Sequence, residues 1–177
     1  MQFKSIAVFA AGLSAAYAQT VSFNASQIVT DLENLTNLAE LTKGIAGSIT
    51  LGNAVTQVPA LATSLTTLAT TLVADAANDA ILAAGGVFDV TDQAAICLSL
   101  SDFIAASQDM VDTIAGETDI ISAPPFNSIL AAALAPVQAG VNAVVSAIAP
   151  SIPNCVSTSQ VDLGTLDDTI DNLLNLL

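Results

Sequence analysis

Leu61, Leu65, Leu68 and Leu72 step along the chain by four, three and four residues. On a helix of 3.6 residues per turn this rhythm gathers four large side chains on one face; on a strand it would scatter them over both. Spacing of three and four recurs along the chain, and the fold class it dictates is all-α. The threonines in this segment lean towards strand, but a sustained apolar stripe outweighs intrinsic propensity. The helix is predicted from Val58, with Pro59 tolerated in its first turn, and its face continues through Ala76, Ala80 and Ala83 to Gly85-Gly86.

Four other segments read the same way. The first runs from about Ser26 to Lys43, with Ile28, Leu32, Leu35, Ala39 and Thr42 on one face and Gly44 and Gly47 at its end. A third lies within Thr91 to Ala115, carries Cys97, Leu100, Ile104, Val111 and Ile114, and stops at Gly116. A fourth follows Pro124-Pro125, which suit a helix start. Its stripe is Leu130, Leu134, Val137, Val141, Val144 and Ile148, Pro136 should kink or split it, and Pro150 and Pro153 close it. The last is predicted from Thr165, where Thr165-Leu166-Asp167-Asp168 has the form of a capping box, with Leu166, Ile170, Leu173 and Leu177 inward. The sum is a single bundle of about five amphipathic helices.

No charge occurs from Ile120 to Val161. Pro136, Gln138, Gly140, Asn142 and Pro150 nevertheless break the apolar run before it reaches the length of a membrane span, so no transmembrane segment is expected. Asn172 to Leu177 is too short for the hydrophobic tail of a lipid-anchor signal.

The first residues order themselves as charge, apolar run and small residues: Lys4, then Ile6 to Ala16, then Ala16-Tyr17-Ala18. This is the layout of a secretory signal over residues 1–18, with a helical domain over 19–177 that is secreted, extracellular or held in a cell wall. In that compartment the pair Cys97 and Cys155 is expected to be oxidised. The third and fourth helices, consecutive and shortly connected, should be antiparallel neighbours. Cys97 near the start of one and Cys155 beyond the end of the other then meet at one end of the bundle. Asn24-Ala25-Ser26 and Asn34-Leu35-Thr36 are N-glycosylation sequons.

The alphabet restricts the chemistry. There is no His, Arg or Trp, and once a signal is removed Lys43 faces 16 acidic residues alone. No imidazole base, guanidinium clamp or nitrogen metal ligand can be assembled. Lys43 reads as an exposed helix-end residue instead of half of a Ser–Lys dyad. The acidic groups Asp109, Asp112, Asp167, Asp168 and Asp171 read as solvated faces, and no calcium loop or phosphate-cradling glycine motif is present. The expectation is therefore a non-enzymatic protein with no catalytic residues, no metal and no cofactor. Nucleic acid, bound through Lys and Arg, is excluded as a partner. Two features remain. The core is rich in Ala and poor in aromatics, and the second and fourth helices carry Thr, Ser, Gln and Asn on their outer faces where charge would be usual. Such faces lose water more cheaply than carboxylates do. They suit either a bundle that opens on an apolar surface or a neutral, glycosylated exterior.

A signal peptide followed by a His-free acidic domain of Leu/Val/Ala/Thr helices resembles the fungal hydrophobic surface-binding protein A family, itself similar to cell-wall galactomannoproteins. The likeness is carried by Ile28-Val29-Thr30-Asp31-Leu32, Leu61 to Leu72 and Leu98 to Ile114, and extends over roughly Val21 to Leu177. The resemblance implies a non-enzymatic wall or secreted protein that adsorbs to hydrophobic surfaces and, in some relatives, encloses fatty acids between helices. Its partners would be hydrophobic surfaces or long-chain lipids, with cell-wall polysaccharide and secreted hydrolases as further candidates. The alternative is a structural wall mannoprotein without a ligand. A guest chain would lie against Leu65, Leu68, Leu72, Ile104, Val111, Leu134, Val137 and Val141, the mid-helix stripe positions of the second, third and fourth helices.

Overall fold

The computed structural model describes residues 24–177; the predicted signal lies outside the described residues. Five long helices and one short one follow in order: α1 Ala25–Ala46, α2 Ala54–Ala83, α3 Val90–Gly116, α4 Thr118–Ile121, α5 Phe126–Ile148 and α6 Val156–Leu176. A single 3-10 turn, Ala149–Ser151, follows α5. No strand occurs among the described residues.

Local chemistry sets most boundaries. Asn24 caps α1, its side chain accepting from the Gln27 N–H at 3.3 Å. Gly44 stays inside α1, and the helix ends at Ala46. Asn53 precedes α2, and its side chain accepts from the Thr50 N–H and donates to the Ser48 carbonyl; the helix starts a turn earlier than the sequence suggested and places Pro59 in the second turn. Its end before Gly85-Gly86 is as expected, and Gly86 adopts φ +127°, open only to glycine at low cost. Asp89 caps α3 through the N–H groups of Thr91 and Asp92, both at 2.9 Å.

Two helices depart from the sequence reading. Pro136 does not split α5, which is continuous from Phe126 to Ile148. The final helix starts at Val156, and Thr165 sits in its interior with its hydroxyl donating to the Val161 carbonyl. No capping box forms there. The buried face simply extends back from Leu166 through Ser159, a polar residue in an apolar position.

Neighbouring contacts arrange the long helices as a closed ring in the order α1, α2, α5, α6, α3. The pair α1/α2 is antiparallel, with Thr42 and Ser64 hydroxyls 2.7 Å apart. α3 runs parallel to α1, joined by Lys43 Nζ and Asp109 at 3.0 Å. α5 runs parallel to α2, and Gly140 is their closest point: a Cβ there would lie 2.7 Å from the Leu72 Cβ. α6 fills the remaining gap, parallel to α3 through Gln108 and Thr169 at 3.0 Å, and antiparallel to α5 through Gln138–Asp171 and Asn142–Asp167. The third and fourth predicted helices are thus not packed neighbours; α6 separates them on one side of the ring, and α1 and α2 on the other.

Cys97 and Cys155 are bonded, with Cα atoms 6.0 Å apart. The expected pairing holds although its premise of adjacent helices does not: both residues lie at one end of the ring, now on α3 and at the start of α6. Closing this loop stabilises the fold by about 4 kcal/mol in the chain-entropy account. The same end is tied by polar bonds. Ser151 Oγ donates to the Ala83 carbonyl at 2.9 Å, Phe88 N–H to the Ser151 carbonyl at 3.1 Å, and Gln93 Nε2 to the Phe88 carbonyl at 2.7 Å.

Candidate functional site

The ring encloses one apolar interior. Leu65, Leu68 and Leu72 of α2, Ile104 and Val111 of α3, and Leu134, Val137 and Val141 of α5 are all buried and belong to a single hydrophobic cluster. Phe103, Met110 and Ile114 of α3, Leu32 and Leu35 of α1 and Leu166 and Ile170 of α6 complete it. The eight stripe residues named from sequence therefore face a common interior from three helices. In this state they pack against other side chains, and the surface grooves are lined almost wholly by other residues, Ile104 excepted.

A groove of about 640 Å³ runs along the outside, between α2 and α5. Thr63, Thr66, Thr67, Thr70 and Thr71 form one wall, and Ile129, Ala132 and Ala133 the other. It is continuous with a second groove of about 370 Å³ that adds Val73 and Pro136. The five threonine hydroxyls donate to the carbonyls four residues earlier, at 2.8 to 3.0 Å. Their protons are engaged by the helix itself, so methyl groups and acceptor oxygens remain outermost. Neither wall carries a charged residue. On a chain of formal charge −14 this is a neutral, methyl-rich strip.

One interior residue was missed by the periodicity. The buried face of α2 runs Leu65, Leu68, Leu72, Ala76, Asp79, Ala83; Ala80, predicted to face inward, is exposed. Asp79 has no solvent exposure, and neither carboxyl oxygen has a hydrogen-bond partner. Burial, and then the nearby charges of Asp31 and Asp75, push its pKa up to about 7. Asp75 is raised in the same direction by partial burial and by Asp31. Continuing the four-three-four rhythm beyond Leu72 reaches residues 76, 79 and 83, so the spacing carries the signal even though an acidic residue on a buried face runs against composition.

The remaining predicted groups are at the surface. Lys43 bridges Glu40 at 3.4 Å and Asp109 at 3.0 Å, and these carboxylates raise its pKa. Asp167 and Asp171 accept from amides of α5 across the α5/α6 seam, while Asp168 is exposed. Asn34 is exposed on α1, and Asn24 uses its Oδ1 as the helix cap. No cluster of three or more potential metal ligands occurs among the described residues. Three helical segments, Ala54–Ala83, Val90–Gly116 and Phe126–Ser151, are long and apolar enough to cross a membrane by length and composition; in the bundle their apolar stripes face one another.

No family model matches this chain, and no curated protein matches it. Among solved structures, that of AfMP4p in complex with palmitic acid superposes with a TM-score of 0.76 at 14% sequence identity, over 86% of this chain and 99% of the other. At that identity the likeness establishes a shared fold.

Proposed function

We propose that this protein is a secreted, non-enzymatic binder of long-chain fatty acids, which it takes up between its helices. The observation that carries the reading is the ring itself: stripes from five helices converge on one apolar interior, in a fold shared with a protein solved in complex with palmitic acid. Leu65, Leu68, Leu72, Ile104, Val111, Leu134, Val137 and Val141 would line the guest. Burying an acyl chain yields about 0.8 kcal/mol per CH₂, a gross gain of roughly 12 kcal/mol for sixteen carbons before the costs of parting the helices. The seam best able to part is α5/α6, the briefest of the ring's long-helix contacts, held by the amide–carboxylate bonds of Gln138 and Asn142. Pro136 lies nearby and lacks the N–H that would brace α5.

The neutral α2/α5 strip favours adsorption to hydrophobic surfaces as a second use of the same protein. It presents no carboxylate to be stripped of water, and the absence of His and Arg leaves acid–base catalysis without its usual groups. A cell-wall location is part of this reading.

The test is uptake by delipidated protein. Wild type should bind palmitic acid stoichiometrically. Leu68→Asp should abolish uptake, and Val137→Phe, which fills the interior without burying a charge, should weaken it. Exposed Asp168→Asn should leave uptake intact, with folding of each variant checked by circular dichroism. Failure of wild type to bind either fatty acid or a hydrophobic surface at low micromolar concentration would favour a structural wall protein without a ligand.

A further inference from the structure

We propose that Asp79 is the polar anchor of the interior: it receives the carboxyl head of a bound fatty acid, the two carboxyl groups sharing one proton. This rests on the fatty-acid reading above and specifies the end of the site at which the head lies.

The geometry is unusual for a structural residue. Asp79 continues the interior stripe of α2 after Leu72 and Ala76, is fully buried, and leaves both oxygens without a partner. A buried carboxyl in that condition loses its hydration with nothing in return. Its place is close to the clamped end of the ring, where α2 finishes next to the Ser151–Ala83 bond. A chain extended from there along the stripe would pass Leu72, Leu68 and Leu65 in turn.

The charge environment selects the chemistry. The main elements packed against α2 are α1 and α5, with the short α4 and the uncharged turn Ala149–Ser151 at its ends. α1 presents Asp31 to Asp79, and Asp75 lies one turn earlier on α2 itself. α5 has no charged residue, and Asp119 of α4 belongs to the opposite end of the bundle. Every charged group acting on Asp79 is therefore acidic; burial first, and then these neighbours, hold its carboxyl protonated up to about pH 7 and able to donate. A neutral carboxyl can donate its proton to a guest carboxylate, whereas two like charges in one dry site cannot both persist. One proton must accompany the pair, so fatty-acid affinity should fall about tenfold per pH unit once both carboxyls would otherwise be ionised.

The experiment uses palmitic acid labelled with ¹³C at the carboxyl, with hexadecanol as the uncharged-head comparison, on the wild-type chain and on Asp79→Asn and Asp79→Leu. For wild type, palmitic acid affinity should fall steeply above pH 7 and the bound carboxyl should titrate at higher pH than in Asp79→Asn. Asp79→Asn, whose amide donates without a proton to lose, should bind with a shallow pH profile, and Asp79→Leu should lose preference for acid over alcohol. Identical pH profiles and carboxyl titrations in wild type and Asp79→Asn would overturn the anchor while leaving fatty-acid binding standing. If wild type takes up neither palmitic acid nor hexadecanol, the fatty-acid reading falls and the anchor with it.

Discussion

The buried carboxyl of Asp79 should leave a mark on stability whatever the ligand. Its pKa is pushed from 3.8 to about 7, roughly three units at 1.36 kcal/mol each, or about 4 kcal/mol between its two protonation states. The folded protein holds this proton more tightly than the unfolded chain does. The stabilising contribution is therefore complete below about pH 4 and is lost as pH rises towards 7. About 2.5 kcal/mol of the loss falls between pH 5 and pH 8 on these values. Asp79→Asn removes the titration but keeps the size of the side chain. Urea unfolding followed by circular dichroism, at pH 5 and pH 8, measures the difference. The wild type should lose about 2.5 kcal/mol more than the variant over that interval. Asp75, raised in the same direction, titrates in both proteins and so largely drops out of the comparison. Parallel losses in the two proteins would refute the claim that Asp79 is a buried carboxyl without a partner.

Other perturbations have definite outcomes. Replacing Cys97 and Cys155 by Ala should cost about 4 kcal/mol, seen as a lowered urea midpoint that reducing agent no longer changes. Gly140→Ala places a methyl group against Leu72, where the hypothetical Cβ contact is 2.7 Å. It should destabilise the fold by about 1–3 kcal/mol, read as a lowered urea midpoint. Neutralising Asp109 should lower the pKa of Lys43, whose largest upward influence is that hydrogen bond; a lysine Nζ titration by NMR reads the shift.

Leucine spacing made the α2 stripe legible because a large apolar side chain has one stable place to go, and Leu61, Leu65, Leu68 and Leu72 are all fully buried. The stripes of α1, α3 and α5 followed for the same reason. Polar residues on buried faces were not legible. Ser159 and Asp79 occupy inward positions that composition argues against; the capping-box pattern at Thr165 marks a start where the structure has helix interior, and Asp79 interrupts an otherwise apolar stripe. Ring order was equally hidden. Consecutive helices usually pack together, but the close approach of Gly140 to Leu72 seats α5 on α2, and α3 turns to α1 and α6. The disulfide was still found, because it depends on which end of the bundle each cysteine reaches and not on which helices touch.

Uptake of a fatty acid into the interior is tested most directly by methyl NMR. Leu and Val methyl groups of the delipidated protein, labelled with ¹³C, would be followed as palmitic acid is added at pH 5. Saturation at one equivalent is predicted, with the largest shifts and direct guest–methyl Overhauser contacts at Leu65, Leu68, Leu72, Val137 and Val141, and little change at exposed Leu51, Val87 and Val161. Contacts confined to Val73 and the other residues of the outer α2/α5 groove, or no contacts at saturating palmitic acid, would contradict it.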